Sequence, residues 1–333
     1  MTLVVLEAVA KPECVDQLEA VLIALVLLGM QIAYALFSIA FVGIWSTGFI
    51  VARLIAPYAE PLTFLTCRYV LSGLAFALIA RAVGAPWPRT GRAWANALVA
   101  GVLLQGIYLG GVFWAVRHGM PAGIAALVVG LQPLATAILA YPLLGEHVTR
   151  GQWLGTALGL AGAVLVLLPG ITAGLHAGVA LWPLAVIIAA MAGITLGTLW
   201  QKHTAAAADI RTNAAIQFIG AALVTAPVAA ILETGHIALV WQTVIGLAWS
   251  VLGLSVGAIS LLLIMIHRGA VTRVANLFYL VPPVVAVLAW LLFNEALSTT
   301  QITGMAVAAA GLSAPHHVAG LPEGDFDVGG DAA

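Results

Sequence analysis

The sequence predicts an all-α integral membrane protein, and three observations support this fold class. Only 8% of the 333 residues are charged, 12 basic and 13 acidic, whereas a soluble domain carries roughly a quarter. The hydrophobic fraction is 63%, which leaves too few polar residues to cover a water-exposed surface. The apolar residues also form continuous runs without two-residue alternation, which indicates membrane-spanning helices rather than a membrane β-barrel.

Ten apolar stretches approach the length of about 20 residues that a membrane-spanning helix needs. The short breaks between them carry nearly all the charged residues. We therefore predict ten transmembrane helices. The stretches run approximately over residues 31–55, 62–83, 92–117, 121–143, 150–169, 180–201, 211–232, 240–267, 271–293 and 298–314.

The basic residues predict the orientation, because short cytoplasmic loops hold an excess of Lys and Arg. With ten spans and both termini in the cytoplasm, the outer ends hold only Arg53 and Arg117. The inner segments then hold Lys11, Arg81, Arg89, Arg92, Arg150, Lys202, Arg211, Arg268 and Arg273. This bias predicts a bacterial-type inner-membrane protein with both termini inside. If residues 20–30 formed an additional span, the N-terminus alone would lie outside.

The composition excludes several other classes of protein. A net charge of −1 provides no basic face for nucleic acid. The two cysteines, Cys14 and Cys67, are too few for a disulfide framework or a cysteine metal site. The histidines and carboxylates all fall at span ends or in loops, so no convergent catalytic group is indicated. We therefore expect no enzyme activity, no cofactor and no metal. The expected partners are a lipid bilayer and a small-molecule substrate.

The chain shows an internal repeat at an offset of about 150 residues. Gln132-Pro133 aligns with Pro282-Pro283, Gln152 aligns with Gln301, and Gly155 aligns with Gly304. The repeat predicts four segments: an atypical N-terminal extension over 1–30, five-helix units over 31–170 and 178–314, and a polar acidic tail over 315–333. We expect neither terminal segment to be functional.

Each predicted unit has five spans, an odd number, so the second unit enters the membrane with the opposite orientation. Inverted repeats are typical of secondary transporters, in which the substrate binds near the midplane between the units. Alternating access then follows from rocking one unit against the other. The repeat alone therefore predicts a transporter-like architecture.

Specific motifs extend this interpretation to a family. The Gly-Ile-Trp-Ser-Thr-Gly-Phe sequence over 43–49, Arg68 early in span two, and the Pro-Leu-Ala to Leu-Leu-Gly-Glu-His run over 133–147 resemble the drug/metabolite transporter superfamily of the EamA type. The Pro-Pro-Val-Val to Leu-Leu-Phe-Asn-Glu run over 282–295 repeats the pattern. The resemblance covers about residues 31–312. It implies ten transmembrane helices in two inverted five-helix EamA repeats, cytoplasmic termini, and export of amino acids or other small metabolites.

Polar residues near the predicted midplane are the candidate substrate-binding residues, because buried polar groups in lipid usually face the bundle interior. Several of them form repeat-related pairs, such as Ser46 with Thr195 and Gln105 with Ser255. The candidates are Trp45, Ser46, Gln105, Gln132, Thr195, Ser255, Asn276 and Tyr279.

Each candidate has a structural alternative. The hydroxyls of Ser46, Thr195 and Ser255 can bond the carbonyl one turn earlier in their own helix. The amides of Gln105 and Gln132 are larger and costlier to bury, which favours a place beside the substrate. Trp45 can stack on a flat substrate or simply pack.

Arg68 is the one obligate charge within a predicted span, and an intramembrane charge is a functional candidate by default. It lies about two turns from the outer end of its span, however, where snorkelling or pairing with Glu60 is cheap. The matching position in the second unit is Gln217. The sequence favours a structural anchor over a substrate contact.

The predicted function is export of small polar metabolites, with amino acids favoured, by alternating access. The alternative is export of drugs, nucleobases or other non-amino-acid metabolites in the same fold. No side chain near the midplane is suited to exchange a coupling proton, because the carboxylates and histidines lie at span ends and arginine stays charged. We therefore expect a facilitator that moves its substrate down the substrate's own gradient.

Overall fold

The computed structural model describes residues 35–120, 125, 128–145, 148–177, 181–204, 208–268, 274, 276–293 and 297–312. The described part of the chain is helical, apart from connecting turns and one isolated β-bridge. Its helices are α1 Ala35–Ile55, α2 Pro61–Ala82, α3 Gly91–Arg117, α4 Gln132–Leu144, α5 Arg150–Ala177, α6 Leu181–Thr204, α7 Ile210–Leu232, α8 241–268, α9 Val281–Phe293 and α10 Thr299–Leu312.

The predicted all-α membrane fold is confirmed. Within the described ranges, seven helices (α1, α2, α3, α5, α6, α7 and α8) are long and apolar enough to cross a membrane. The remaining three are shorter, so the count of ten spans stays a prediction. The N-terminal extension over 1–30 and the tail over 315–333 lie outside the described residues.

Large apolar side chains are exposed around the helices, as expected where lipid replaces water. Leu78 of α2, Leu223 of α7 and Leu252 of α8 are 60%, 64% and 65% exposed. A soluble monomer rarely exposes apolar patches on this scale. The exposed faces are therefore the surfaces that contact the bilayer.

Two helix starts share one capping arrangement at the repeat offset. At α5, the Thr149 backbone N–H donates to Gln152 Oε1 at 2.8 Å, and the Gln152 N–H donates to Thr149 Oγ1 at 3.3 Å. At α10, Ser298 and Gln301 make the same two bonds at 2.9 and 3.2 Å. These reciprocal bonds satisfy backbone donors that a helix start leaves free. The aligned glutamines, Gln152 and Gln301, therefore each cap the start of the last helix of their unit.

The final helices of the two units pack closely against each other through small residues. A Cβ added at Gly162 of α5 would overlap the backbone of Ala308 in α10, and one added at Gly304 would lie 2.7 Å from the Gly162 carbonyl oxygen. Small residues allow such close backbone approach, which drives helix association in lipid. This contact joins α5 to α10.

The loops that follow α1 and α7 form a second connection between the units, which we call the carboxylate latch. Glu233 Oε1 accepts from the Leu62 N–H at 2.9 Å, and its Oε2 accepts from the Thr63 N–H at 2.7 Å. In return, Glu60 Oε2 accepts from the backbone N–H groups of Thr234 and His236 at 3.0 and 2.9 Å. Each unit therefore supplies one carboxylate to backbone donors of the other.

A short backbone pairing accompanies the latch. Ala59 and Ile237 form an antiparallel bridge, in which the Glu60 N–H donates to the His236 carbonyl at 3.0 Å. The charge bias predicts that both loops lie on the outer side of the membrane. The latch and bridge together hold the two units in contact at that end.

Candidate functional site

Two adjacent residues of α2 contact the third helix of each unit. Arg68 Nε donates to the Ser255 hydroxyl of α8 at 3.1 Å. The Tyr69 hydroxyl donates to the backbone carbonyl of Gln105 in α3 at 2.9 Å. All four residues are buried. We call this set of residues the α2 junction.

The partners of the α2 junction lie in two irregular helical segments. Gln105 belongs to a π-helical stretch of α3, Val102–Ile107, and Ser255 belongs to one of α8, Ser250–Ile259. A π-helix bonds each N–H to the carbonyl five residues earlier, and such stretches occur frequently at functional sites. The repeat pairs Gln105 with Ser255, so the same irregularity recurs at matching positions of the two units.

Arg68 lies in a neutral environment. It is 7% exposed, and its hydrogen bond among the described residues goes to the neutral hydroxyl of Ser255. The expected alternative of an ion pair with Glu60 is wrong, because the Glu60 carboxylate accepts from Thr234 and His236 in the latch.

A second set of buried residues has polar atoms that lack partners among the described residues. They are Gln132 at the start of α4, and Asn276 and Tyr279 just before α9. Gln132 Nε2 donates to Thr136 Oγ1 at 3.0 Å, but its Oε1 has no partner. Asn276 Oδ1 accepts from Thr156 Oγ1 at 3.1 Å, and its Nδ2 has no partner. The Tyr279 hydroxyl is also unpartnered. Such atoms are costly in a dry interior, so they mark places that a water or a ligand can fill.

Glycine sets the position of Tyr279. The Tyr279 ring lies so close to Gly159 of α5 that a Cβ added there would overlap Cδ2 of the ring. The ring therefore packs directly against the backbone of α5.

Trp45 packs between the apolar clusters of both units. Its ring centroid lies 5.3 Å from those of Phe41 and Phe278, and the Phe278 contact is edge-to-face. It also packs against the cluster that contains Tyr69 and against the one that contains Tyr108. Trp45 is half-buried and lies between the α2 junction and the start of α9.

Two hydroxyls among the candidates bond within their own helix. Ser46 Oγ donates to the Val42 carbonyl at 2.7 Å, and Thr195 Oγ1 donates to the Met191 carbonyl at 2.8 Å. Each hydroxyl therefore bonds the carbonyl one turn earlier in its own helix, which is the structural alternative that the sequence offered. Ser255 differs, since its hydroxyl accepts from Arg68. A substrate role for all eight candidates stays a prediction.

Sequence reasoning missed three side chains of these groups. Tyr69 and Thr156 form the bonds described above, and Thr136 accepts from Gln132. Their polar atoms within predicted spans were a signal, but a single sequence does not show which hydroxyls meet across helices. Among the described residues, no three His, Cys, Asp or Glu side chains come together as a metal site.

Comparison with known families gives one match that covers most of the chain. The sequence matches the EamA-like transporter family twice, over residues 31–168 and 181–314. The two matched ranges correspond to the two units of the internal repeat.

Curated relatives share parts of the sequence at low identity. A WAT1-related chloroplastic protein of Arabidopsis thaliana is 24% identical over 84% of this chain and 68% of its own length. A probable terminal-alkyne amino-acid exporter of Streptantibioticus cattleyicolor is 25% identical over 74% of this chain and 80% of its own. The uncharacterized inner membrane transporter YedA of Escherichia coli K12 is 31% identical, over 37% of this chain and 40% of its own.

A solved crystal structure shares the fold. It superposes with a TM-score of 0.71 over 85% of this chain and 96% of its own, at 18% sequence identity. Identity at this level shows the fold alone.

Proposed function

This chain belongs to the EamA-like transporter family, and we propose that it is a secondary transporter that exports small polar metabolites by alternating access. Amino acids are the favoured substrate class. The proposal includes ten spans in two inverted five-helix repeats, and an inner-membrane location with both termini in the cytoplasm. The bacterial inner-membrane relative supports this location.

One observation carries the proposal: two hydrogen bonds between buried polar side chains cross the boundary between the repeats. Arg68 of the first repeat bonds Ser255 of the second, and Thr156 of the first bonds Asn276 of the second. Unsatisfied atoms of Gln132, Asn276 and Tyr279 accompany the second contact. Polar groups between the repeats are what a substrate crossing the membrane at that boundary requires.

The contacts between the repeats also fit alternating access. The carboxylate latch joins the repeats at the predicted outer end through hydrogen bonds between loops, beside a small apolar cluster, containing Ile55 and Ala59, against which Ile237 packs. Such polar contacts at a helix end break and reform at lower cost than buried apolar packing. In this proposal, alternating access requires the latch to open while α5 and α10 stay in contact.

Within the described ranges, the carboxylates are those of Glu60, Asp209 and Glu233, and all three lie outside the helices. A coupling proton would need a titratable side chain within the bundle. This supports the proposal that the protein is a facilitator. An imposed pH gradient should therefore not raise substrate accumulation in proteoliposomes.

A growth screen tests the proposed function. Cells that express the chain are challenged with toxic amino acids and amino-acid analogues, and in parallel with toxic nucleobase analogues and antibiotics. We expect resistance restricted to the amino-acid group. Resistance restricted to the second panel would favour the alternative substrate class. No protection against any compound, with the protein confirmed in the membrane, would overturn the exporter proposal.

A further inference from the structure

Arg68 is a buried cation whose hydrogen-bonding capacity is mostly unused. A guanidinium has five N–H donors, and the structure gives Arg68 one bond, from Nε to the Ser255 hydroxyl. The residue is 7% exposed, so bulk water does not solvate the remaining donors freely. Arg68 is therefore equipped to bind one more acceptor group.

None of the described carboxylates is available to neutralise Arg68. Glu60 accepts from Thr234 and His236, and Glu233 caps the start of α2. Asp209 pairs with Arg211 at 3.5 Å and caps α7. The hydrogen-bond partner of Arg68 among the described residues is the neutral hydroxyl of Ser255. An uncompensated charge at this depth is costly, which a purely structural anchor does not explain.

The geometry determines which edge of the guanidinium is free. Ser255 holds the Nε side, which fixes the plane of the group, and the two Nη atoms at its end have no hydrogen bond to the described residues. That end presents two parallel N–H bonds, the arrangement that matches a carboxylate in a bidentate pair. A carboxylate also carries the single negative charge that one guanidinium neutralises, whereas a phosphate dianion would leave an excess charge buried.

Apolar packing adjoins Arg68 on α2: the next residue, Tyr69, belongs to the apolar cluster against which Trp45 packs. The matching position in the second repeat is Gln217, which bonds Gln201 at 2.6 Å and carries no charge. Of these two repeat-matched positions, only that of Arg68 therefore carries a charge.

We propose that the guanidinium of Arg68 binds the carboxylate of the exported metabolite, with Ser255 as the positioning residue that orients the guanidinium. This inference rests on the proposed function and narrows its substrate class to carboxylates. It also assigns to Arg68 a role that the sequence alone ranked below a structural anchor.

Binding to the purified full-length chain tests the inference. The probes are the twenty L-amino acids, screened by thermal shift, and the carboxamide of each amino acid that binds, which keeps the side chain and the ammonium group but lacks the carboxylate. Affinities are then measured by isothermal titration calorimetry. We expect wild type to bind at least one amino acid and to bind its carboxamide at least about tenfold more weakly.

Variants at the site separate substrate binding from folding. Arg68→Gln should bind the amino acid roughly 10- to 150-fold more weakly, as expected for losing a hydrogen bond to a charged group, and should no longer distinguish it from the carboxamide. Arg68→Lys keeps the positive charge but lacks the two parallel N–H donors of the guanidinium, so its affinity should be intermediate. Ser255→Ala should weaken binding less than Arg68→Gln and keep the preference for the carboxylate.

Arg81→Gln is the matched control, because it removes a charge from the exposed end of the same helix; its affinity should equal that of wild type. Wild-type affinity or wild-type discrimination in folded Arg68→Gln would overturn the inference. So would carboxamides that bind as well as the acids. A wild type that confers resistance in the growth screen but binds no amino acid would also overturn the inference, while leaving the export function in place.

Discussion

Arg68 and Ser255 are 187 residues apart in the sequence, yet the Arg68 Nε–H donates to the Ser255 hydroxyl at 3.1 Å. The bond joins the second helix of one repeat to the third helix of the other. The neighbouring Tyr69 bonds the equivalent helix of its own repeat at Gln105. One turn of α2 therefore connects the two π-helical segments, and a movement of one repeat against the other acts on the Arg68–Ser255 bond, which crosses between them.

The orientation of the chain is tested at the two ends of α2. Exposed Ala56 precedes the helix and exposed Ala82 ends it. In a background without Cys14 and Cys67, Ala56→Cys should react with a membrane-impermeant thiol reagent from outside the cell. Ala82→Cys should react only after the membrane is permeabilised. The reverse pattern would contradict the predicted cytoplasmic position of both termini.

Packing of Tyr279 is tested at Gly159. A Cβ at this position overlaps the Tyr279 ring, so Gly159→Ala should displace the ring and cost about 1–3 kcal/mol of stability, as overpacking does. We expect a lower melting temperature and reduced transport.

Gly43→Ala of α1 is the control for this substitution, because no atom lies within 4 Å of its added Cβ. It should behave like wild type. If Gly159→Ala transports as well as wild type at equal expression, the position of Tyr279 does not matter for transport.

The two buried glutamines test the polar groups themselves. Gln132→Ala removes an amide with an unsatisfied Oε1, and Gln105→Ala removes the buried amide of the α3 π-helical segment. Each should lower the transport rate by roughly two- to tenfold, the equivalent of one neutral hydrogen bond of about 0.5–1.5 kcal/mol, without loss of inserted protein. Thr172→Ala, at an exposed hydroxyl of α5, is the control. Unchanged transport in both glutamine variants would show that neither Gln105 nor Gln132 belongs to the substrate-binding site.

Sequence reasoning anticipated the all-α membrane fold because composition and apolar runs report directly on the bilayer. It also found the repeat, since Gln152 and Gln301 recur at the same offset and cap their helices in the same way. It could not find the π-helical segments or the partner of Arg68. The π-helical segments depend on tertiary packing rather than on local propensity. The Arg68–Ser255 bond is a contact between helices that are distant in the sequence.

The carboxylate latch predicts a pH dependence with a definite sign. Backbone hydrogen bonds, above all from His236, lower the pKa of Glu60 below its ordinary value of 4.5. The folded state therefore favours the ionised form. The contribution of Glu60 to stability is fully present above pH 4.5 and is lost as the pH falls through the depressed pKa.

Melting temperatures of wild type and Glu60→Gln, recorded from pH 7 to pH 3, measure this contribution. The advantage of wild type should stay constant down to about pH 4.5 and shrink below it. A difference that does not change with pH would show that the Glu60 charge does not stabilise the latch.

Counterflow in proteoliposomes tests whether the chain transports amino acids without a pH gradient and through Arg68. Vesicles that contain the purified chain are loaded with an unlabelled mixture of L-amino acids, and labelled amino acids are added outside without a pH gradient. We expect at least one labelled amino acid to enter transiently against its own gradient, and Arg68→Gln but not Arg81→Gln to slow this entry. No counterflow of any amino acid by correctly inserted wild type would show that the chain is not an amino-acid facilitator.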